Sequence, residues 1–286
     1  MKELAACHVA VVGVGLMGAS LAAALSGRCR TVSGLARRTE SVEEAVGRGF
    51  IDRGTTDPEE VLPEADIVVL ATPVRTILRQ IDEYGSLLPN GCLLIDLGST
   101  KREVLEAMIR LPKGVQPLGG HPMCGKERSG LAAADPEMYR GCTFILSPLE
   151  RTSREALELG RSLISAVGGR PIVLDAARQD HLAATLSHLP YLLACSLVRT
   201  ADTLTSADPA AWEIVAGGYR DTSRVAGSDV RMMLDILTTN RREVLGSAAV
   251  CRDQLDRLIG LLENEDDEGL ASVLTASQAE RWRMFP

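Results

Sequence analysis

A chain of 286 residues has room for a sizeable core and for two domains. Apolar residues at 45% and charged residues at 24% are ordinary for a globular protein, and aromatics at 3% leave the core to Leu, Val, Ile and Ala. The net charge of -7 argues against a nucleic-acid scaffold, and no apolar run is expected to reach membrane-spanning length. Seven cysteines show neither paired metal-ligand spacing nor a small disulfide framework. Free thiols in a reducing cytoplasm, with no metal, no membrane and no nucleic acid as partner, are therefore expected.

The residues up to His8 carry an acidic group and too short an apolar stretch for a signal peptide. They run directly into a strand over 9–12, so residue 1 is expected near the start of the fold. Gly13 ends that strand, and a helix follows over Leu16–Leu25. A strand over 31–36, a helix over 41–48 and a buried strand over 67–71 come next. Further strands are expected over 92–96, 116–118, 143–146 and 171–174. Alternating strands and helices predict a mostly parallel sheet covered on both faces, and apolar runs such as 67–70 fit strands buried on both sides. Beyond Asp175 strand signals nearly vanish. Apolar spacing of three and four predicts helices over 176–201, 209–216, 232–262 and 268–282, with Pro190 kinking or dividing the first. The boundary falls near 174, giving a sheet domain over 1–174 and an all-helical domain over 175–286. A helical domain this apolar suits a homodimer interface. Residues 263–268 read as a solvated acidic turn.

Gly13, Gly15 and Gly18, with Leu16 and Met17 between the last two, form the pattern Gly-x-Gly-x-x-Gly. The pattern alone is weak. Between an apolar strand and a helix it marks the dinucleotide turn of a doubly wound, Rossmann-type α/β fold. Gly13 permits the tight turn, Gly15 lets the backbone approach a pyrophosphate, and Gly18 lets helix and strand pack closely. The helix N-terminus offers unpaired N–H groups to the phosphates. At the end of the second strand, where NAD-selective folds place an acid for the ribose 2′-hydroxyl, stands Ala36, followed by Arg37 and Arg38. A 2′-phosphate would find charge-assisted donors there, which predicts NADP over NAD. The bland alternative is two exposed arginines and loosely bound NAD. Thr72, Pro73, Ser99 and Lys101 follow strand C-termini, the ligand edge of such a sheet. By residue type alone, Ser99 and Lys101 would be a helix cap and a surface charge.

The segment from Gly119 to Gly130 is the most informative. It sets His121 after two glycines at a strand end, with Pro122 behind it. A lone His is usually structural, but this one falls at the edge that should face the cofactor. Asp180, His188 and the run from Gly217 to Arg224 add polar groups to an otherwise apolar region, which suggests a pocket at the domain junction. The glycine motif, Asp96 through Lys101, His121 through Gly130, Ser187-His188-Leu189-Pro190 and Gly218 through Arg224 occur in this order. Together they resemble the prephenate/arogenate dehydrogenase family of tyrosine biosynthesis, from the first strand to about Asn240. No further regulatory domain is expected before the chain ends at Pro286.

The resemblance implies oxidative decarboxylation of a 1-carboxy-4-hydroxycyclohexadiene. His121 matches the base at the 4-hydroxyl, Ser99 the residue orienting that hydroxyl, and Arg224 the carboxylate-binding arginine. Glu127 matches an acidic residue near the entrance. Asp180 and Asp221 match polar residues that orient the site; His188 matches the family's His in Ser-His-Leu-Pro, serving either packing or substrate contact, and Tyr191 lies near the substrate side chain or its wall. An ordinary His titrates near ~6.5, so an acid limb is expected there. Gln179 and Tyr191 stand where relatives often have His, and Met233 where they often have Trp, so recognition of the substrate side chain is where this chain departs. Cys124, close to His121, reads as a small packing residue rather than a reactive thiol. Two rivals remain. A β-hydroxyacid dehydrogenase or imine reductase commonly uses a Lys from the helical domain, but the lysines here are 2, 101, 113 and 126. A non-catalytic NADP-binding regulator leaves His121 and Arg224 without purpose.

Overall fold

The computed structural model describes residues 2–125 and 130–285. β1 (His8–Val12) is five buried residues near the centre of an eight-stranded sheet. Its side chains alternate between two cores. Val9 and Val11 enter one with Leu21, Leu25 and Leu163; Ala10 and Val12 enter the other with Ile77, Ile81 and Met108. This two-residue period is why the strand reads as a continuous apolar run. β4 (Ile67–Leu70) repeats it, with Ile67 and Val69 on one side and Val68 and Leu70 on the other. Each such side chain contributes roughly 1.5–3 kcal/mol when fully buried.

The other strands are β2 (Thr31–Leu35), β3 (Arg53–Thr55), β5 (Leu93–Asp96), β6 (Gln116–Pro122), β7 (Thr143–Pro148) and β8 (Arg170–Val173). Their spatial order is β3-β2-β1-β4-β5-β6-β7-β8. β1 through β6 run parallel, β7 runs antiparallel to β6, and β8 runs parallel to β7. The chain leaves β1 toward β2 on one side and returns to β4 on the other, so the switch point lies at the C-terminal end of β1. Helices α1 (Leu16–Leu25), α2 (Thr39–Gly47), α3 (Val74–Tyr84), α4 (Arg102–Ile109) and α5 (Arg154–Ala166) connect the strands.

Two details differ from the sequence reading. β3 has no apolar run, being Arg-Gly-Thr at the edge of the sheet, and was not expected. β6 continues four residues past Leu118 through Gly119, Gly120, His121 and Pro122. The glycines there are strand residues that admit close neighbours: a Cβ at Gly119 would meet Lys101 Cδ at 2.9 Å, and one at Gly120 would collide with the Asp96 carbonyl.

After β8 the elements are α6 (Ala176–Ala183), a π-helical turn (Ala184–His188), α7 (Leu189–Thr205), α8 (Gly217–Ser223), a 3-10 turn (Arg224–Gly227), α9 (Val230–Thr239), α10 (Arg241–Glu263) and α11 (Asp267–Met284). Pro190 sits in the first turn of α7, and the π turn widens the helix just ahead of it, so the helix is carried through the proline. The continuous stretch Ala176–Thr205 is thereby long and apolar enough, by length and composition, to cross a membrane, contrary to the sequence reading. Its Gln179, Asp180 and His188 are buried side chains. The helix expected over 209–216 is a series of turns, opened by the Asp208 carboxylate accepting from Ala210 N–H at 2.9 Å. The helix expected over 232–262 is broken at Asn240, whose backbone (φ -118, ψ 25) leaves helical geometry between α9 and α10. Of the acidic turn expected over 263–268, only 264–266 lie outside helix: Glu263 closes α10, Asp267 and Glu268 open α11, and the Asp266 carboxylate caps α11 through Gly269 N–H.

Candidate active site

The turn after β1 is built as its glycines require. Gly13 has φ +97, and a Cβ on it would meet Thr72 Cγ2 at 2.7 Å. A Cβ on Gly18 would collide with the Gly13 carbonyl, so α1 packs onto the strand turn without space for a side chain. A Cβ on Gly15 would meet nothing within 4 Å, and Gly15 caps α1 with no side-chain acceptor on its first N–H groups. Open space above an unpaired helix N-terminus fits a pyrophosphate. Leu16 and Met17 begin α1 half-buried, and the Met17 carbonyl accepts from Tyr139 OH at 2.8 Å. Ala36 follows β2 half-buried, while Arg37 and Arg38 are exposed, and among the described residues neither has an ion-pair partner. Thr72 gives its hydroxyl to Gln80 Oε1 at 2.6 Å, and Pro73 opens α3.

Asp96, the last residue of β5, organises the next part. Its carboxylate accepts from Gly98 N–H at 2.8 Å and Gly120 N–H at 3.0 Å, and it pairs with the Lys101 ammonium; both side chains are fully buried. Burial raises the Asp96 pKa, while Lys101 and the two backbone donors oppose the rise. Lys101 was a candidate neighbour of the nicotinamide end. The structure instead turns its ammonium inward onto Asp96, because an isolated buried carboxylate costs too much without a counter-charge. Its charge still acts on the site through His121.

Asp180 is likewise an anchor. Its two oxygens accept from Lys101 N–H at 2.7 Å and Arg102 N–H at 2.9 Å, at the N-terminus of α4, where a negative charge is favoured. The preceding residue, Gln179, donates through Nε2 to the Ser99 carbonyl at 3.1 Å and lies 3.2 Å from His121 Nδ1. A carbonyl only accepts, so the amide nitrogen faces both partners and Nδ1 is the acceptor. The neutral ring then carries its proton on Nε2. His121 is 7% exposed. Burial, then the Lys101 charge and His188, lower its pKa to about 3. This corrects the value near ~6.5 that an ordinary histidine would have.

His188, at the end of the π turn, lies with Nδ1 3.3 Å from Asn240 Nδ2, which also donates to the Asp180 carbonyl at 2.7 Å. Burial lowers the His188 pKa to about 4. Two buried polar atoms in this cluster have no partner among the described residues, Gln179 Oε1 and His188 Nε2. Thr100 and Thr239 hydroxyls meet at 2.9 Å, a further tie between the sheet edge and α9.

The structure thus joins Ser99, Lys101, His121, Asp180 and His188 in one hydrogen-bonded cluster. Tyr191, half-buried on α7, and Asp221, exposed on α8, stand apart from it, and Arg224 begins the turn that packs on α7. Glu127 lies outside the described residues. Gln179 and Asn240 were missed as cluster members. Gln179 was noted only as a departure from relatives, and its adjacency to Asp180 was the available signal; Asn240 was a polar residue inside an apolar helical pattern.

The sheet order, the glycine turn at the switch point and the polar cluster at the ends of β5 and β6 define a doubly wound dinucleotide fold with a helical region closing over its ligand edge. Comparison with known proteins narrows this. The model described as the prephenate dehydrogenase nucleotide-binding domain matches residues 21–173, and the prephenate dehydrogenase dimerization domain matches residues 175–276. The chain is 30% identical to the prephenate dehydrogenase of Bacillus subtilis (strain 168), over 92% of this chain and 72% of that protein. The structure of prephenate dehydrogenase from A. aeolicus, in complex with hydroxyphenyl propionate and NAD+, superposes with a TM-score of 0.91 at 31% identity, covering 99% of this chain and 100% of that one. Synechocystis arogenate dehydrogenase superposes with a TM-score of 0.84 at 30% identity, covering 97% and 99%. The chain belongs to the prephenate dehydrogenase family.

Proposed function

We propose that this chain is an NADP-dependent dehydrogenase that oxidises and decarboxylates prephenate and/or arogenate to 4-hydroxyphenylpyruvate and/or tyrosine. The observation that carries the reading is His121, kept neutral by burial at the end of β6 and tied through Gln179 to Ser99. A neutral imidazole at the ligand edge is what proton removal from a ring hydroxyl needs. The A. aeolicus relative, solved with hydroxyphenyl propionate and NAD+, supports a ring acid beside a dinucleotide.

Gly13, Gly15, Gly18 and the start of α1 would hold the pyrophosphate, and Arg37 and Arg38 the 2′-phosphate. Bound NADP supplies the acceptor for the hydride leaving the ring carbon that bears the hydroxyl. His121 Nε2 takes the hydroxyl proton, and Ser99 orients that hydroxyl. As the carbonyl forms, the bond to the ring carboxylate breaks and its electron pair moves through the ring onto the carbonyl oxygen; CO2 departs, and the phenolate takes back the proton held on His121 Nε2 to become a phenol. Arg224 holds the carboxylate, with His188 Nε2 and Tyr191 offering polar contacts to the rest of the substrate. The proton on Nε2 must first move. Nδ1–H is the tautomer that leaves Nε2 basic, and it requires an acceptor at Gln179. Turning the Gln179 amide end for end presents Oε1, now without a partner, to Nδ1 and gives up the bond to the Ser99 carbonyl.

Residues 1–174 would carry the dinucleotide, and residues 175–286 the substrate wall and a homodimer contact. Gln179 and Tyr191, standing where relatives often have His, remove possible cations from the site and favour arogenate, whose side chain bears an ammonium. The test is turnover of both ring acids with NADP and with NAD, followed by absorbance of the reduced nicotinamide. The reading expects kcat/KM roughly 10- to 100-fold higher with NADP, the worth of a charge-assisted phosphate contact, and arogenate used at least as well as prephenate. Consumption of neither ring acid with either dinucleotide overturns it.

A further inference from the structure

The antiparallel ladder of β6 and β7 pairs His121 with Ile145 and Pro122 with Phe144. Beyond the assigned ends, Met123 N–H donates to the Thr143 carbonyl at 2.8 Å. One more step in this register sets Cys124 directly opposite Cys142. Because Met123 and Thr143 are a hydrogen-bonded pair, Cys124 and Cys142 fall at the next, non-hydrogen-bonded position. There opposite Cα atoms lie about 4.5 Å apart, within the ~4.4–6.8 Å that a disulfide spans. The two side chains therefore share one face of the sheet, where the Cys142 thiol donates to the Thr143 carbonyl at 3.2 Å and each thiol shifts the other's proton affinity. Both residues are half-buried and both are free thiols.

We propose that Cys124 and Cys142 are a redox-active dithiol site that closes to a cross-strand disulfide on oxidation by a small disulfide of the glutathione class. Cys142 is the attacking sulfur. The neighbouring Cys124 thiol, with help from Met123 N–H and the Arg170 charge, holds its thiol below the usual range, while the Cys142 neighbour and burial push Cys124 up. The Cys142 thiolate attacks one sulfur of glutathione disulfide and releases one glutathione thiolate. Cys124 then loses its proton to solvent and attacks the Cys142 sulfur, expelling the second glutathione thiolate. Two protein thiols are oxidised to one disulfide, and one glutathione disulfide is reduced to two thiols.

The location links this couple to both halves of the site. Cys124 is three residues past His121 on the same strand end. Cys142 N–H donates to the Tyr139 carbonyl at 3.1 Å, and Tyr139 OH holds the Met17 carbonyl at the start of α1. A bridge draws these two supports together.

The experiment exposes the whole protein to glutathione disulfide, blocks remaining thiols after denaturation, and maps cross-linked peptides by mass. The expected result is a loss of the mass of two hydrogens, five blockable thiols in place of seven, a 124–142 peptide pair and full reversal by dithiothreitol. Cys142→Ser is expected to keep its remaining thiols under the same treatment, whereas Cys124→Ala, which lacks the resolving thiol, is expected to stop at a glutathione adduct on Cys142. In the treated wild-type protein, seven thiols left, a bridge elsewhere, or a stable glutathione adduct on either cysteine overturns the proposal. This readout is independent of activity. The effect on turnover rests on the dehydrogenase reading and is measured separately. Oxidation is expected to lower kcat about tenfold through displacement of the His121 strand end. A mapped bridge with unchanged kcat overturns that coupling alone.

Discussion

At His121 the neighbours act on the proton in two ways. Burial and the Lys101 ammonium suppress protonation, and the Gln179 amide selects the tautomer. A ring whose pKa lies at about 3 stays neutral throughout the usual assay range, so kcat/KM is expected to be flat from about pH 8 down to about pH 5. An acid limb near ~6.5 that is abolished in His121→Asn would contradict this. Gln179→Glu places a carboxylate on Nδ1, which stabilises the imidazolium and fixes the Nδ1–H form. The acid limb should then rise by about 1–3 pH units, while KM for the dinucleotide stays unchanged. A purely structural role for Gln179 would lower stability without moving the limb. Gln179 was hard to see from the sequence because its partners lie far along the chain, 58 residues away at His121 and 80 at Ser99.

The elements divide by how locally they are encoded. β1 and β4 were legible because burial on both faces leaves an uninterrupted apolar run. β6 was cut short in the sequence reading because Gly-Gly and Pro are turn residues by preference. In the structure, the Lys101 side chain and the Asp96 carbonyl leave no room for anything larger than glycine. The break at Asn240 was invisible because it serves a contact to Asp180, 60 residues away. The glycine turn was legible in full, and its members are expected to separate experimentally. Gly15→Ala points a methyl into open space. It should leave the melting temperature nearly unchanged and weaken dinucleotide binding measured by calorimetry. Gly18→Ala drives a methyl into the Gly13 carbonyl. It should destabilise the ligand-free protein by about 1–3 kcal/mol in urea unfolding. Equal stability losses in the two variants would mean that Gly15 serves packing and not the ligand.

For the whole molecule, two histidines link folding to pH. Folded His121 and His188 have pKa values of about 3 and about 4, against 6.5 for the ordinary side chain. Below pH 6.5 the unfolded chain binds protons that the folded one refuses. Their contribution is therefore complete above that pH and is lost as pH falls toward about 4 and about 3. Each adds a slope of about 1.4 kcal/mol per pH unit, so urea midpoints should fall between about pH 6.5 and about pH 5, and less so in His188→Asn. The helical region also leaves much apolar surface uncovered. α11 buries no residue and α10 only Val244, while Leu255, Leu262 and Trp282 are exposed. Long helices with so little core of their own need a partner. Leu255→Glu with Leu262→Glu should convert a dimer to a monomer by light scattering; an unchanged mass places the contact elsewhere. The π turn at Ala184–His188 bears on the same surface. It holds one residue more than a regular helical turn and absorbs it by widening, so α7 stays in phase with α6; a further residue there would turn everything after it by about 100°. A single-codon insertion, usually harmless in a loop, would here re-aim Leu193 and Leu204, both exposed on α7, and part His188 from Asn240. This short segment should therefore be more intolerant of insertion than its residue identities are of substitution.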